Sequence, residues 1–183
     1  MCLTLNRVPP ATTLRPTVLT EVTVALTTLV VAEPVMALVH RCVFHGPLWC
    51  EHKSHHEHPT IRRIVRNDLL WAWPLLTSAL LLVFGGPVLA GFGIGGALYV
   101  GAYILAHDGV AHGRFWVPAF IRHATLFRVV AKTHRLHHRG GRAGVGATPF
   151  GVFLAHLEHQ WGLSAHYRPP TRTCSPGGAT ASR

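Results

Sequence analysis

At 183 residues the chain is one domain's worth of sequence. It is 49% hydrophobic and only 13% charged, about half the ~25% of ordinary soluble proteins, which excludes a soluble globular domain and points to a chain partly dissolved in lipid. The 17 basic residues outnumber the 7 acidic ones, but they flank apolar runs and no nucleic-acid motif accompanies them, so anionic lipid rather than nucleic acid is the expected counterpart. The four cysteines (Cys2, Cys42, Cys50, Cys174) contain no C-x-x-C pair and are expected to be reduced thiols.

In chain order, residues 1–16 carry three prolines and no periodicity, and read as a flexible lead-in. Thr17 to Val39 is a 23-residue apolar run, long enough to cross a bilayer core of ~30 Å. Glu33 interrupts it, seven residues before His40 and so on the same helical face. Two readings of Glu33 stand open: it orients a ligand or handles a proton at a metal centre, or it is a snorkelling or bundle-facing carboxylate paired with an Arg. Pro34 is expected to kink the helix. Residues 57–68 are polar and basic, and Asn67-Asp68 can cap the second span. Leu69 to Ala106 then has no Asp, Glu, Lys or Arg, and a Gly/Pro cluster (Gly85 to Gly96) divides it into two further spans. Phe115 to Thr133 mixes apolar and basic residues and suits a helix lying in the interface, ended by Gly140-Gly141. Residues 144–157 are apolar but too short to cross, so a re-entrant or surface-lying piece is expected; the tail has a disordered composition. Expected bounds are therefore 1–16 for the lead-in, 17–157 for a membrane domain and 158–183 for a variable tail. Lys and Arg crowd both histidine-rich stretches and are missing from the glycine hairpin, which places those stretches at the cytoplasmic face. The predicted fold is all-α: a polytopic membrane bundle of three spans plus interfacial helices, with a histidine-rich di-metal site at one face.

Ten of the histidines carry the chemistry. His40, His45, His52, His55 and His56 follow the first apolar run, and His107, His112, His134, His137 and His138 repeat the same H-x4-H and H-x2-H-H pattern after the last one. Neutral imidazoles in such number suit one or two borderline transition-metal ions. In an α-helix the i, i+3 and i+4 members of each H-x2-H-H share a face. The H-x4-H pairs do not: residues five apart lie about 140° apart around an ideal helix, so a helix end or distorted turn is required there. Asp108 can accept the free N–H of a ligating imidazole, or simply cap a helix. His58, His123, His156, His159 and His166 lie outside the pattern, although His156 and His159, at i and i+3, are spaced to reach the site from a re-entrant helix.

The segments F-H-G-P-L-W-C-E-H-K-S-H-H (44–56), N-D-L (67–69), H-D-G-V-A-H (107–112), H-R-L-H-H (134–138) and F-G-V-F-L (150–154) resemble the fatty-acid-hydroxylase superfamily of membrane non-haem di-iron oxygenases, and its bacterial carotenoid-hydroxylating branch in particular. The resemblance covers about residues 20–155. It implies two irons held by the ten histidines, dioxygen as co-substrate, electrons from a reduced ferredoxin or similar donor, and a bacterial inner-membrane location. It further implies hydroxylation of the β-ionone rings of β-carotene at C3, through cryptoxanthin to zeaxanthin. Glu33 falls where the family has a glutamate. Val65 and Arg139 depart from the family pattern, and nothing beyond Ala155 is recognisable. Phe44, Trp49, Trp71 and Phe115 are candidate walls for a carotenoid pocket.

Two other classes are weighed against this. A ketolase or a fatty acyl or sterol hydroxylase-desaturase would share the metal site, but the H-D-G and H-R-L-H-H contexts argue against them. A metal-binding or transport protein without catalysis would place ionisable groups at mid-bilayer in several spans, and Leu69 to Ala106 has none.

Overall fold

The computed structural model describes residues 16–58, 60, 62, 64–139 and 149–160. Among them every regular element is a helix, as expected for a chain whose backbone polar groups must be satisfied internally in lipid. Helix α1 (Pro16–Val39) is apolar on nearly all sides and leads directly into a π-helical turn, π1 (His40–Phe44). The short α2 (Trp49–Glu57) comes next. Helices α3 (Arg66–Phe84) and α4 (Pro87–Ile104) form an antiparallel pair, and α4 continues into a second π-turn, π2 (Leu105–Ala111). Then come α5 (Ala119–Arg122), α6 (Thr125–Arg139) and α7 (Ala155–Gln160).

Three stretches, Thr17–Phe44, Arg66–Phe84 and Pro87–Ala111, are long and apolar enough to cross a membrane. Their outer faces carry exposed Leu19, Leu26, Val30, Leu82 and Val83, the side chains a lipid-facing bundle presents. Helix α4 packs against both α1 and α3. Its glycines make the approach close: a Cβ at Gly91 would stand 2.7 Å from Val24 Cβ, and one at Gly96 would meet the Ser78 hydroxyl at 2.6 Å. Small residues serve membrane helices in this way. Only Gly85, Gly86 and Pro87 form the turn between spans, with Pro87 opening α4; the remaining glycines of the expected turn cluster are packing residues inside α4.

Helix α1 runs on through Pro34. Asp68 does cap α3, accepting from Val65 N–H at 3.0 Å, whereas Asn67 is turned inward and only 2% exposed. The expected interface helix over 115–133 is instead two helices, α5 and α6, after an irregular lead-in. Cys42 is a free, exposed thiol, but Cys50 is disulfide-bonded, which corrects the expectation of a reduced thiol there. The lead-in before Pro16, Gly140-Gly141, residues 144–148 and the tail beyond Gln160 lie outside the described residues.

The ends of α1 and α4 and the start of α3 all lie at the same end of the three-span bundle, so π1, α2, π2 and α6 gather there. A core of Phe44, Trp71, Tyr99, Val100, Tyr103, Ala106, Val130 and Val152 forms beneath them. Residues 149–154 make a strap over this end, with Pro149 fully buried and Phe150 3% exposed, folded inward rather than lying in lipid. The topology has a direct check: a compartment-sensitive reporter inserted at Gly86 and one fused after Arg139 should report opposite sides of the membrane. The same side for both would overturn the three-span arrangement.

Candidate metal centre

The two H-x4-H pairs meet their geometric problem with a π-turn. His45 N–H bonds His40 C=O at 3.0 Å, and His112 N–H bonds His107 C=O at 3.0 Å. These are i→i+5 bonds, which widen the helix so that residues five apart return to the same side. The required distortion is therefore built once per repeat, with its closing bond running between the two histidines themselves.

The imidazoles then converge. His40, His45, His52, His56 and His137 each offer a nitrogen within 4.8 Å of the others, and His55, His107, His112 and His134 form a second such group. The tenth, His138, belongs to neither group, but its Nε2 lies 2.9 Å from His134 Nε2 and its ring stacks on His56 at 4.4 Å. His156 is in neither group, and the side chain of His159 lies outside the described residues.

The groups are not one per repeat. In each H-x2-H-H the middle histidine crosses over, His137 joining the first repeat's group and His55 the second's. Helix geometry gives the reason: seen from the i position, i+3 lies about 60° to one side and i+4 about 40° to the other. One short helix can thus aim two histidines at one centre and the third at its neighbour.

Nitrogen separations fit shared ligation. His40 and His52 present their Nε2 atoms to one another at 3.0 Å, His52 and His56 at 3.1 Å, His45 and His137 at 3.2 Å, and His112 and His134 at 2.8 Å. Two imidazoles at right angles around a metal with bonds of about 2.1 Å would stand about 3.0 Å apart. Tautomers sharpen the case. His40 Nδ1–H donates to Phe150 C=O at 2.8 Å and His52 Nδ1–H to Asn67 Oδ1 at 2.7 Å. In neutral rings both facing Nε2 atoms are then bare lone pairs, a contact that repels unless a cation lies between them. His55 Nε2 is buried with no hydrogen-bond partner among the described residues, another nitrogen that a metal would satisfy. The donor set fits a pair of transition-metal ions.

Burial keeps these rings neutral. It holds His52, His55, His134 and His137 well below the usual imidazole range, with neighbouring imidazoles adding to the effect. His45 and His138 are lowered to about 4, again chiefly by burial. Aromatic rings complete the chamber: Phe150 packs on His40, His45 and His137, Trp49 on His45 and His56, Phe44 on His52, and Tyr103 stacks on His107 at 4.8 Å.

Of the two carboxylates singled out in the sequence, Glu33 is 5% exposed and fully engaged. Its Oε1 accepts from the backbone N–H groups of Val152, Phe153 and Leu154 at 2.7, 2.7 and 3.0 Å, and its Oε2 from Tyr99 O–H at 2.7 Å. Glu33 therefore ties down the strap whose Phe150 carbonyl holds His40; its partners are backbone amides and a tyrosine, not an Arg. Asp108 Oδ2 stands 3.4 Å from His107 Nδ1, beyond a good hydrogen bond. Its Oδ1 accepts from Arg114 at 2.8 Å, and Arg114 also reaches Asp68 with both terminal nitrogens at 2.6 Å. Asn67, Phe150 and Arg114 were not visible as site residues in the sequence, because each acts through a tertiary contact.

Fold and site define an all-helical membrane protein with a buried histidine cluster, able to hold metal, at one end of its bundle. The model of the fatty acid hydroxylase family matches residues 25–162, and the chain belongs to that family of enzymes. It is 35% identical over 124 residues to a beta-carotene hydroxylase of Paracoccus sp. (strain PC1), covering 66% of this chain and 75% of that protein. A second beta-carotene hydroxylase, from Paracoccus sp. (strain N81106 / MBIC 01143), is 34% identical with the same coverage. A chloroplastic beta-carotene 3-hydroxylase of an Oncidium hybrid cultivar is 36% identical over 135 residues, 69% of this chain but 43% of that longer protein. No solved structure matches.

This geometry sets two expected outcomes. Asn67→Ala removes the acceptor that orients His52 and should weaken metal retention about 10–100-fold, measured by chelator competition; unchanged retention would show that the contact is idle. In the metal-stripped protein, histidines held neutral by the fold gain protons more readily once unfolded, so their stabilisation is complete above the unfolded value near pH 6.5 and is lost as pH falls below it. The melting temperature of the stripped protein should drop between about pH 7.5 and about pH 5.5, and a flat profile would contradict neutral burial.

Proposed function

We propose that this chain hydroxylates the β-ionone rings of β-carotene at C3, giving cryptoxanthin and then zeaxanthin, with two irons, dioxygen and electrons from a ferredoxin-type donor. The observation that carries the reading is the pair of convergent imidazole groups in a chain 35% identical to a beta-carotene hydroxylase. Bound iron supplies the redox chemistry that oxygen insertion into a ring C–H bond requires and that zinc lacks.

The residues that would hold the metals are His40, His45, His52, His56 and His137 on one side and His55, His107, His112 and His134 on the other, with His138 between them. The tautomers of His40 and His52 are fixed with their unprotonated Nε2 atoms facing one another, and aromatic rings wall the chamber. Glu33 acts as a positioning residue: through the amides of 152–154 it fixes the strap, and through the Phe150 carbonyl the strap fixes His40. Asp108 and Asp68, clamped by Arg114, hold π2 against the start of α3 and so set the direction of His107.

An apolar ring has an approach beside this clamp. Trp71, Leu75, Ile104 and Phe115 line a pocket of about 410 Å³ whose rim includes Asp68, Asp108 and Arg114. It opens between α3 and α4, where a polyene lying in the bilayer would present its end. Phe44 and Trp49, also candidate walls, instead pack among the histidines. The basic residues at this end support a cytoplasmic orientation, in which a soluble donor protein can reach the site from the bacterial cytoplasm.

Expressed with a ferredoxin reductase system in a β-carotene-accumulating bacterium, the chain should convert pigment to cryptoxanthin and zeaxanthin, and the purified protein should carry close to two irons. Accumulation of keto-carotenoids would replace the C3 assignment with a ketolase. Glu33→Ala leaves three strap amides without their acceptor and should destabilise the protein by roughly 3 kcal/mol and reduce iron content, whereas Glu33→Gln, which keeps one acceptor oxygen, should be milder. Equal behaviour of the two variants would remove Glu33 from the support of the site.

A further inference from the structure

The metal-bearing helix α6 has a second face. Its buried side presents Val130, His134 and His137, while Arg128, Lys132 and Arg135 form an i, i+4, i+7 stripe on the exposed side. With Arg122 from the end of α5 they line a cleft of about 560 Å³ floored by Val110 and Val129. No carboxylate lines this cleft, and none of the four cations forms a salt bridge among the described residues. Four unneutralised cations around one concavity are mutually repulsive, and an anion seated between them relieves that repulsion.

Place in the fold decides which anion. Val110 belongs to the last turn of the third span, Pro87–Ala111, so the floor of the cleft lies where hydrocarbon gives way to headgroups. Just beyond it, Trp116 is 82% and Phe120 79% exposed, with Leu126 also exposed. Apolar and aromatic side chains displayed beside cations are the composition of a segment resting in the interface. An acidic protein would have to displace headgroups to reach Val110, whereas a lipid phosphodiester is already at that depth. We propose that this cleft binds the phosphate headgroup of an anionic phospholipid, with Arg122, Arg128, Lys132 and Arg135 as its contacts and Trp116, Phe120 and Leu126 inserted among the neighbouring acyl chains.

The experiment uses the full chain with its metals in nanodiscs of phosphatidylcholine, with and without phosphatidylglycerol, and reads bound lipid by native mass spectrometry and stability by melting temperature. Phosphatidylglycerol should be retained in preference to phosphatidylcholine and should raise the melting temperature. The double variant Arg128→Gln/Lys132→Gln should lower that preference roughly 30-fold, the loss expected for two interfacial cations. The charge-preserving pair Arg128→Lys/Lys132→Arg should retain most of it, which separates loss of the site from a failure to fold. Equal retention of the two lipids by the unaltered chain, or an unchanged preference in the double variant, would overturn the proposal. So would inorganic phosphate in pure phosphatidylcholine raising the melting temperature as far as phosphatidylglycerol does, since the cleft would then be a site for free phosphate. Stabilisation by polyglutamate but not by phosphatidylglycerol would overturn it as well and make this face a dock for an acidic protein.

Discussion

Unprotonated imidazole nitrogens held about 3 Å apart repel one another unless a cation lies between them, and everything at this end of the molecule is arranged to hold them so. His40 cannot turn away because its other nitrogen is committed to the Phe150 carbonyl, and His52 cannot because Asn67 holds it. Burial keeps His52 from escaping the repulsion by taking up a proton. The same three constraints (fixed tautomer, fixed direction, burial) are those that the proposed metal ligands require, since little ordering would remain to be done on binding.

The scaffold contributes through closeness and through distortion. Glycines in α4 let it lie against both α1 and α3, so that two of the three spans deliver a histidine pair, His40 and His45 or His107 and His112, to the same small volume. At each of those ends the α-helix gives way to a π-turn. A regular helix would send the two histidines of each pair in different directions, and the i→i+5 bond brings them back together. The crossing of His55 and His137 then ties the repeats to one another, because neither group of nitrogens is complete without a residue from the other half.

Glu33 shows how a costly residue is kept within a membrane span. A buried carboxylate requires compensation, and here three amides and a tyrosine hydroxyl supply it. In return the strap is pinned over the first group of histidines, and Phe150 becomes both a lid on the rings and the acceptor for His40. The carboxylate is thus joined to the metal chamber through backbone rather than by direct contact. Against the two readings that the sequence leaves open for this residue, the partners seen are neither an Arg nor an imidazole: it faces into the bundle and holds the strap.

The sequence by itself determined the number of the spans, the repeat of the two histidine patterns and the need for a distorted turn at each H-x4-H. All of these rest on local periodicity: apolar length is compared with bilayer thickness, and spacing with the turn of a helix. Only the tertiary structure decided which histidines share a group, because the 60° and 40° offsets of i+3 and i+4 acquire meaning only when a second helix stands opposite. It alone decided that Asn67 orients His52 rather than capping a helix, that most glycines of α4 pack rather than turn, and that Phe150 holds His40 across 110 positions of chain. Such contacts leave no periodic trace, because hydrogen bonds between residues distant in sequence depend on where folding brings them and not on what stands beside them.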